Sequence, residues 1–273
     1  MATNRIIESF RICAEWLSGH QERILIVTAG IGITVMLIRA GRGALRAGLH
    51  ARAGNVYRNL EVVRRRREMF ANIEQMSSCG DHRPLNIVEI GTAVVQNAPH
   101  YPTNAEITCV TTATYREVEI ERLEDEYPYV NIVYASPETM TSLRDNTFDV
   151  VVSTLSLCAV EDVKQTLAEI KRILKKDGRF YFMEHVGAKA EVATSQVQNG
   201  YRVWWGTLFY GCKPDEKLLQ ILNQSGFKKV EIDKLAVDID TGSDRYIGSL
   251  LSDVINRFFT YLIGTHVVGV AIK

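Results

Sequence analysis

Short apolar runs alternate with longer amphipathic stretches along most of the chain. Apolar residues recur at helical spacing from Val163 to Leu174 and predict a helix over 161–174. A second predicted helix, 214–224, is bounded by Pro214 at its start and Gly226 after its end. Several of the apolar runs are apolar on both faces, as strands of a parallel sheet are. Five of them predict strands at Leu85–Ile90, Glu106–Val110, Val130–Ala135, Phe148–Thr154 and Arg179–His185.

The pattern changes after Gly226, where we predict a strand over 227–239, a helical stretch over 246–263 and a closing strand over 265–273. No crossover long enough to require parallel pairing joins these strands, so an antiparallel edge is expected. The fold class is therefore an α/β, doubly wound, seven-stranded and mostly parallel sheet. Ligands of such sheets bind where the strands end. The predicted site is formed by the loops after Ile90, Val110, Ala135, Thr154 and His185.

An uncharged apolar run, Ile24–Ile38, lies near the amino terminus between Arg23 and Arg39. As a helix it would be about 22 Å long, between the lengths of core helices and of membrane spans. Acidic residues before the run disfavour a cleaved signal peptide. A buried core helix is the alternative, but apolarity on all sides favours a membrane-anchor helix that either spans the bilayer or enters one leaflet.

The segment Arg39–Arg67 holds nine arginines and one acid, Glu61, so it follows the apolar run with a strong positive charge. If the helix spans the bilayer, such an excess places the rest of the protein in the cytosol. If it enters only one leaflet, the same arginines lie against anionic head groups and the main domain is again cytosolic. A solvated helix face is the plainer interpretation of Arg64–Arg67. We therefore divide the chain into an amino-terminal anchor region (1–40), a basic juxtamembrane helical linker (41–84) and a main domain (85–273).

Composition narrows the function classes. The chain has 273 residues with 32 basic and 32 acidic side chains, so no global positive charge indicates nucleic-acid binding. Its five cysteines are odd in number, widely spaced and without a C-x-x-C pair, which argues against disulfides and zinc. No metal site is predicted.

Three stretches carry a resemblance to a known family: FDVVVSTLSLCAV (148–160), RILKKDGRFYFMEHV (172–186) and YGC (210–212). They resemble the class I S-adenosylmethionine (SAM) dependent methyltransferases, and among these the small membrane-anchored thiol methyltransferases, the methyltransferase-like seven group. HYP at His100–Pro102, the closing strand and the position of the apolar run agree with it. The resemblance implies a Rossmann-like methyltransferase fold, SAM as cofactor, and a small apolar acceptor such as a thiol. It also implies a membrane lipid surface of the endoplasmic reticulum or lipid droplets as a partner.

The glycine-rich cofactor turn of this family is degenerate here. Glu89 and Gly91 match its acid and first glycine, whereas Ala93 and Val95 stand for the second and third glycines. We expect the β-branched Val95 to be unsuited to the positive φ of a glycine and to occupy ligand space. Thr111 replaces the acid that would bind the ribose hydroxyls and offers one hydrogen bond instead of a charged pair.

The adenine-side motif of the family appears as Pro137–Met140, which keeps Glu138 and Met140 but lacks the second acid. Glu138 and Thr154 could instead serve loop capping and strand-end packing. The resemblance thus implies that the cofactor is bound, more weakly than is usual in the family, by six residues: Glu89, Gly91, Thr111, Glu138, Met140 and Thr154.

His185, at the end of the fifth strand, is the candidate catalytic base because imidazole titrates near neutral pH. A strand-end histidine that supports the next loop is the structural alternative. The aromatic segment Tyr201–Tyr210 predicts either an acceptor pocket or a membrane-facing cluster.

The sequence therefore favours a membrane-anchored SAM-dependent methyltransferase with a cytosolic main domain. The alternative is a cofactor-free methyltransferase-fold protein that acts as a membrane-surface binding or scaffold module. A nicotinamide-dependent oxidoreductase is disfavoured, because only Gly91 follows the first strand where G-x-G-x-x-G would be needed.

Overall fold

A computed structural model describes residues 59–78, 83–91, 93–112, 123, 125–186, 217–236 and 265–273. The predicted anchor 24–38, the aromatic segment 201–210 and the predicted helical stretch 246–263 lie outside these residues. Within the described ranges, no helix combines the length and apolarity that crossing a membrane requires. The helices are α1 (Leu60–Ser78), α2 (Val94–Asn97), a 3-10 turn (Ala98–His100), α3 (Val163–Ile173) and α4 (Leu218–Gln224).

The strands described form one sheet of seven. They are β1 (Asn86–Ile90), β2 (Glu106–Thr111), β3 (Val130–Tyr134), β4 (Phe148–Thr154), β5 (Leu174–His185), β6 (Lys229–Ala236) and β7 (Thr265–Ile272). Their order in the sheet is β3-β2-β1-β4-β5-β7-β6. The first five are parallel, whereas β7 pairs antiparallel with both β5 and β6. The predicted mixed sheet and its antiparallel edge are confirmed.

Helices cover both faces of this sheet, as a doubly wound fold requires. On one face, α3 and α4 bury Leu167, Ile170 and Leu222 against the strands. On the other face, α1 and α2 contribute Phe70 and Val94 to a second cluster. The range predicted as a linker therefore includes a helix, α1, whose buried residues belong to the core of the main domain.

Two element boundaries differ from those predicted. Helix α3 begins at Val163, because the Asp162 side chain accepts a hydrogen bond from the Gln165 amide (3.0 Å) and caps it there. Leu174 is already extended, so β5 begins directly after the helix. Asp177 has a positive φ of 61°, which turns the strand next to Gly178.

The strand order reverses between β1 and β4, which are neighbours although two strands separate them in sequence. In open α/β sheets, ligands bind at such a switch point, outside the carboxyl ends of the strands. Gly91 follows β1 and Leu155 follows β4 at this edge. The fold thus brings the degenerate glycine turn and the loop after β4 to one place.

Candidate functional site

The turn after β1 depends on a glycine at position 91. Gly91 has a φ of +94°, a conformation that side chains rarely adopt. A Cβ built on it would lie 2.0 Å from the Ser156 Oγ, so any side chain would collide with the loop after β4. The Gly91 amide donates to the Val110 carbonyl (2.9 Å), which ties the turn to the end of β2. The loops after β1 and β4 are therefore in direct contact at the switch point.

The positive φ expected at the position of Val95 is absent, and so is one at Ala93. Ala93 has φ −71° and ψ −10°, and Val95 lies within helix α2. Among the described non-glycine residues, a positive φ occurs only at Asn146, Leu155 and Asp177. Val95 packs, partly buried, against the core cluster on the α1 side of the sheet. A helical backbone accepts these two residues, and the Val95 side chain packs against the core.

Glu89 lies beneath this turn and is completely buried. One of its carboxylate oxygens accepts a hydrogen bond from Asn97 Nδ2 (2.6 Å), and the other accepts one from the Tyr101 hydroxyl (2.7 Å). Burial raises the pKa of Glu89 to about 7, although the hydrogen bonds from Tyr101 and Asn97 oppose this rise. The Glu89 carboxylate thus lies beneath the turn, and its hydrogen bonds come from Asn97 and Tyr101.

Thr154 and Thr111 end the strands on either side of β1. Thr154 is buried, and its Oγ1 accepts a hydrogen bond from Asn97 Nδ2 (3.2 Å). Leu155 follows with a positive φ of 51°, so the chain turns sharply there. Thr111 is also buried, and its carbonyl accepts a hydrogen bond from the Ala135 amide (3.1 Å). The structure thus brings Glu89, Gly91 and Thr154 together, with Thr111 on the adjacent strand end.

Glu138 and Met140 lie after β3 in contacts that support the fold. Glu138 accepts hydrogen bonds from the Ser136 hydroxyl and from the Glu161 amide (2.7 Å), close to the start of α3. Burial by itself would raise the pKa of Glu138, but these hydrogen bonds outweigh it and lower the pKa. Met140 is buried in the core, and its amide donates to Glu169 (2.8 Å). The contacts of Glu138 are those of loop capping, the alternative to cofactor binding given above for this residue.

His185 ends β5 and is paired in register with His266 of β7. The two imidazole rings stack with their centroids 5.3 Å apart. His185 also lines a cavity of about 240 Å³ beside the loop after β4. Most of the other lining groups are apolar, including Leu157, Val163, Leu218 and Ile221. The strand end therefore brings an imidazole to the wall of a largely apolar cavity.

Sequence reasoning missed Glu184, which precedes His185 and is completely buried. Its carboxylate accepts hydrogen bonds from the Ser153 hydroxyl (2.6 Å), the Ser156 amide (3.2 Å) and the Leu157 amide (3.1 Å). Glu184 thus fixes the loop that meets Gly91. The available signal was an acidic residue directly after the apolar run Phe180–Met183, since burying a charge is costly unless donors compensate it.

Asn97 and Tyr101 were missed as well. Both are buried and both donate to Glu89. Tyr101 lies in the HYP motif, which was noted for its resemblance and was given no role. Their role can be recognised only in the structure, where the 3-10 turn places Tyr101 next to Glu89 of β1.

Residues 88–182 match a family described as a methyltransferase domain. The match extends from β1 into β5 and supports a SAM-dependent methyltransferase. The fold is also shared with a Haemonchus contortus phosphoethanolamine N-methyltransferase (TM-score 0.53, 15% identity, 76% of this chain and 53% of that chain). A [4+2]-cyclase, SpnF, shares it too (TM-score 0.52, 17% identity, 76% of this chain and 80% of that chain). The fold alone therefore does not decide the reaction.

Among characterised proteins, the chain is homologous to thiol S-methyltransferases. It is 29% identical to human thiol S-methyltransferase TMT1A over 177 residues, 64% of this chain and 72% of that protein. It is 28% identical to TMT1B of Rattus norvegicus over 192 residues, 69% of this chain and 76% of that protein. The family resemblance found in the sequence is confirmed.

Proposed function

We propose that this protein transfers a methyl group from SAM to a small apolar acceptor, specifically a thiol. The observation that carries the proposal is the conjunction of a methyltransferase domain over 88–182 with an intact Gly91 turn at the β1/β4 switch point. Homology to two thiol S-methyltransferases supports the choice of a thiol. Together they favour an enzyme over the cofactor-free scaffold.

The residues at the switch point fit an adenosyl cofactor. Gly91 has no side chain and a positive φ, which lets Ser156 of the loop after β4 pack against the turn and sets the shape of the switch point. Thr154 and Thr111 bring hydroxyl groups to the ends of β4 and β2. Neutral hydroxyls bind ribose more weakly than a carboxylate does, so we expect a modest affinity. Glu89 would support this site from beneath the turn.

The cavity beside His185 suits the acceptor because apolar walls favour a small hydrophobic molecule. In the proposed reaction, the acceptor sulfur forms a bond to the methyl carbon while the bond between that carbon and the sulfonium breaks. The thiol proton passes to His185, and S-adenosylhomocysteine leaves. The chain's tasks are to align donor and acceptor and to favour the thiolate.

The proposal is tested with the full-length protein in detergent. Calorimetric titration with S-adenosylhomocysteine should show binding, and a small aromatic thiol incubated with SAM should be converted to its methyl sulfide, detected by mass spectrometry. Gly226→Ala, which alters the turn after α4 and lies outside the turn at Gly91, serves as a matched control for cofactor binding and should retain it. Absence of binding and of turnover would favour the scaffold alternative.

The role of His185 is tested with His185→Gln, which keeps a hydrogen-bonding side chain but cannot titrate. With a small alkyl thiol as the acceptor, we expect turnover to fall at pH 6 to 7 and to recover as the pH approaches the range where the thiol ionises by itself. A pH–rate profile of the variant that is identical to that of the wild type would exclude His185 as the base. Circular dichroism separates this effect from loss of the fold.

We further propose that the chain is anchored to the membrane of the endoplasmic reticulum or of lipid droplets, with its main domain in the cytosol. The uncharged run 24–38 and the arginines that follow it support this placement. An apolar acceptor partitions into lipid, so an anchored enzyme would meet it at the highest concentration.

Carbonate extraction of cells that express the full chain tests the anchor. The wild type should remain in the membrane pellet, and Ile31→Arg should shift protein to the supernatant, because a charge in the middle of the run opposes insertion. Ile6→Arg, outside the run, is the control and should stay in the pellet. Recovery of the wild type in the supernatant would refute the anchor.

A further inference from the structure

Four buried side chains form a connected hydrogen-bond network beneath the candidate cofactor turn. Glu89 comes from β1, Asn97 from α2, Tyr101 from the segment after the 3-10 turn, and Thr154 from β4. Asn97 Nδ2 donates both to Glu89 (2.6 Å) and to Thr154 Oγ1 (3.2 Å), while the Tyr101 hydroxyl donates to the other Glu89 oxygen (2.7 Å). The network thus connects the two strands that flank the switch point.

This arrangement is poorly explained by stability alone. The Asn97 Oδ1 is buried and has no hydrogen-bond partner among the described residues. Leaving a buried acceptor unpaired is unfavourable, and apolar replacements of buried polar networks often fold as well or better. An acid held in such surroundings next to a ligand-binding edge is typical of a functional site.

We propose that Asn97 and Tyr101 are positioning residues for cofactor binding, which hold the ionised Glu89 carboxylate under Gly91 and orient the Thr154 hydroxyl toward the ligand. This inference rests on the proposed function. When Glu89 is ionised, Asn97 donates to Thr154 Oγ1, so the Thr154 hydroxyl proton is directed away from Asn97. A carboxylate below the turn also favours the positively charged ammonium group of the ligand's amino-acid end.

Protonation of Glu89 disturbs both effects. A proton on the oxygen that faces Asn97 Nδ2 opposes that hydrogen bond, and the negative charge under Gly91 is lost. Burial raises the pKa of Glu89 to about 7, so this change falls in an accessible pH range. Binding should therefore weaken as the pH falls through this range.

Among the described residues, the titratable groups next to Glu89 are Cys109 and Tyr101. Its register neighbours are Cys109 on β2 and Val152 on β4. The Cys109 thiol donates to the Gly91 carbonyl (3.2 Å). Burial, together with Glu89, raises the pKa of Tyr101 well above its usual range. From α1, the ring that meets Tyr101 is the apolar Phe70, with centroids 4.9 Å apart.

The test is calorimetric titration of the full-length protein with S-adenosylhomocysteine from pH 5.5 to 8.5. Tyr101→Phe keeps the ring against Phe70 but removes the donor that lowers the pKa of Glu89. We expect its affinity to fall about tenfold at pH 7 and the midpoint of its pH dependence to rise by about 1 unit. Tyr181→Phe is the control, because it removes a buried hydroxyl from the same core cluster without touching Glu89.

Asn97→Leu provides a second, independent variant. It removes the unpaired acceptor but also the donor to Glu89 and Thr154, so we expect a lower melting temperature and, at a temperature where circular dichroism shows a folded variant, at least about tenfold weaker binding of the ligand. Wild-type affinity and pH midpoint in both variants would overturn the positioning role while leaving the proposed function intact. A wild type that binds no ligand at all would instead refute the proposed function, and the positioning role with it.

Discussion

Gly91 and Ser156 meet so closely that a Cβ on the glycine would lie 2.0 Å from the serine Oγ. The contact joins the turn after β1 to the loop after β4, the two segments that border the switch point. Each segment is supported by its own buried glutamate: Glu89 lies two residues before Gly91, and Glu184 binds the Ser156 amide. The geometry of the site therefore depends on two acids that lie below its surface.

Gly91→Ala should remove cofactor binding and lower stability. The added methyl group would collide with Ser156, and alanine disfavours a φ of +94°. We expect a loss of about 2 kcal/mol or more in the free energy of unfolding and at least a hundredfold weaker binding of S-adenosylhomocysteine. Urea denaturation and calorimetric titration measure the two effects.

Gly226→Ala is the matched control for this prediction. Gly226 also has a positive φ, +74°, but the nearest atom to its added Cβ is the flexible Lys171 Nζ at 3.0 Å. This variant should lose about 1 kcal/mol of stability through backbone strain and bind the ligand normally. Equal loss of binding in both variants would show that strain at any turn, and not the contact with Ser156, is responsible.

Glu184→Gln should loosen the loop after β4. Glutamine keeps the size of the side chain, but it offers one acceptor oxygen where the carboxylate receives three hydrogen bonds. We expect a loss of about 1 to 3 kcal/mol in stability and about tenfold weaker cofactor binding, measured as above. Ser153→Ala removes only the hydroxyl donor and should cause a smaller loss, and the reverse order would contradict this role of Glu184.

Most of the fold could be predicted from the sequence because strands and helices differ in hydrophobic period. Phe148–Thr154 was placed without error, since it has three consecutive valines, Val150–Val152, and is buried along its whole length. The start of β5 was missed, because Leu174 fits the helical period equally well and only the pairing with Phe148 makes it a strand residue. Helix α1 was assigned to a linker because its four consecutive arginines dominate the sequence pattern, so that the short apolar face formed by Met69, Phe70 and Ile73 was not recognised.

The site was less predictable. Gly91 could be found because a turn with a positive φ favours a glycine, and a glycine directly after a predicted strand can be seen in the sequence. Val95 was misjudged because the same requirement was extended to a position that is helical here. Glu184 and Asn97 gave only a weak local signal, since their partners Leu157 and Glu89 become neighbours through strand pairing and the return of the chain. Long-range hydrogen bonds of this kind have no sequence period.

Glu89 should make the stability of the protein depend on pH. Its pKa is about 7 in the folded protein and near 4.5 in an unfolded chain, so the folded state binds more protons between these values. Stability should therefore fall as the pH rises from about 4.5 to 7 and change no further above it, by at most about 3 kcal/mol. Glu89→Gln cannot ionise and should lack this loss in urea denaturation from pH 5 to 8.

Glu138→Gln gives a control of opposite sign. Hydrogen bonds lower the pKa of Glu138 despite the opposing effect of its partial burial, so its stabilisation is present at neutral pH and is lost as the pH falls. This variant should differ from the wild type most at pH 7 and least at low pH. A wild type and a Glu89→Gln variant with the same dependence of stability on pH would show that Glu89 is not protonated in the folded protein.

Two substitutions that restore the family pattern should act in opposite ways. Val95→Gly should destabilise the fold by about 1 to 3 kcal/mol without improving cofactor affinity, because Val95 packs against the core from within a helix. Thr111→Asp should strengthen binding of S-adenosylhomocysteine about tenfold, because a carboxylate at the end of β2 can accept hydrogen bonds from both ribose hydroxyls. Thermal denaturation and calorimetric titration of the two variants separate these effects.

Thr111→Ser, which keeps a hydroxyl, is the control and should bind as the wild type does. Tighter binding by Val95→Gly would mean that the side chain does obstruct the ligand, and weaker binding by a folded Thr111→Asp would place the ribose elsewhere.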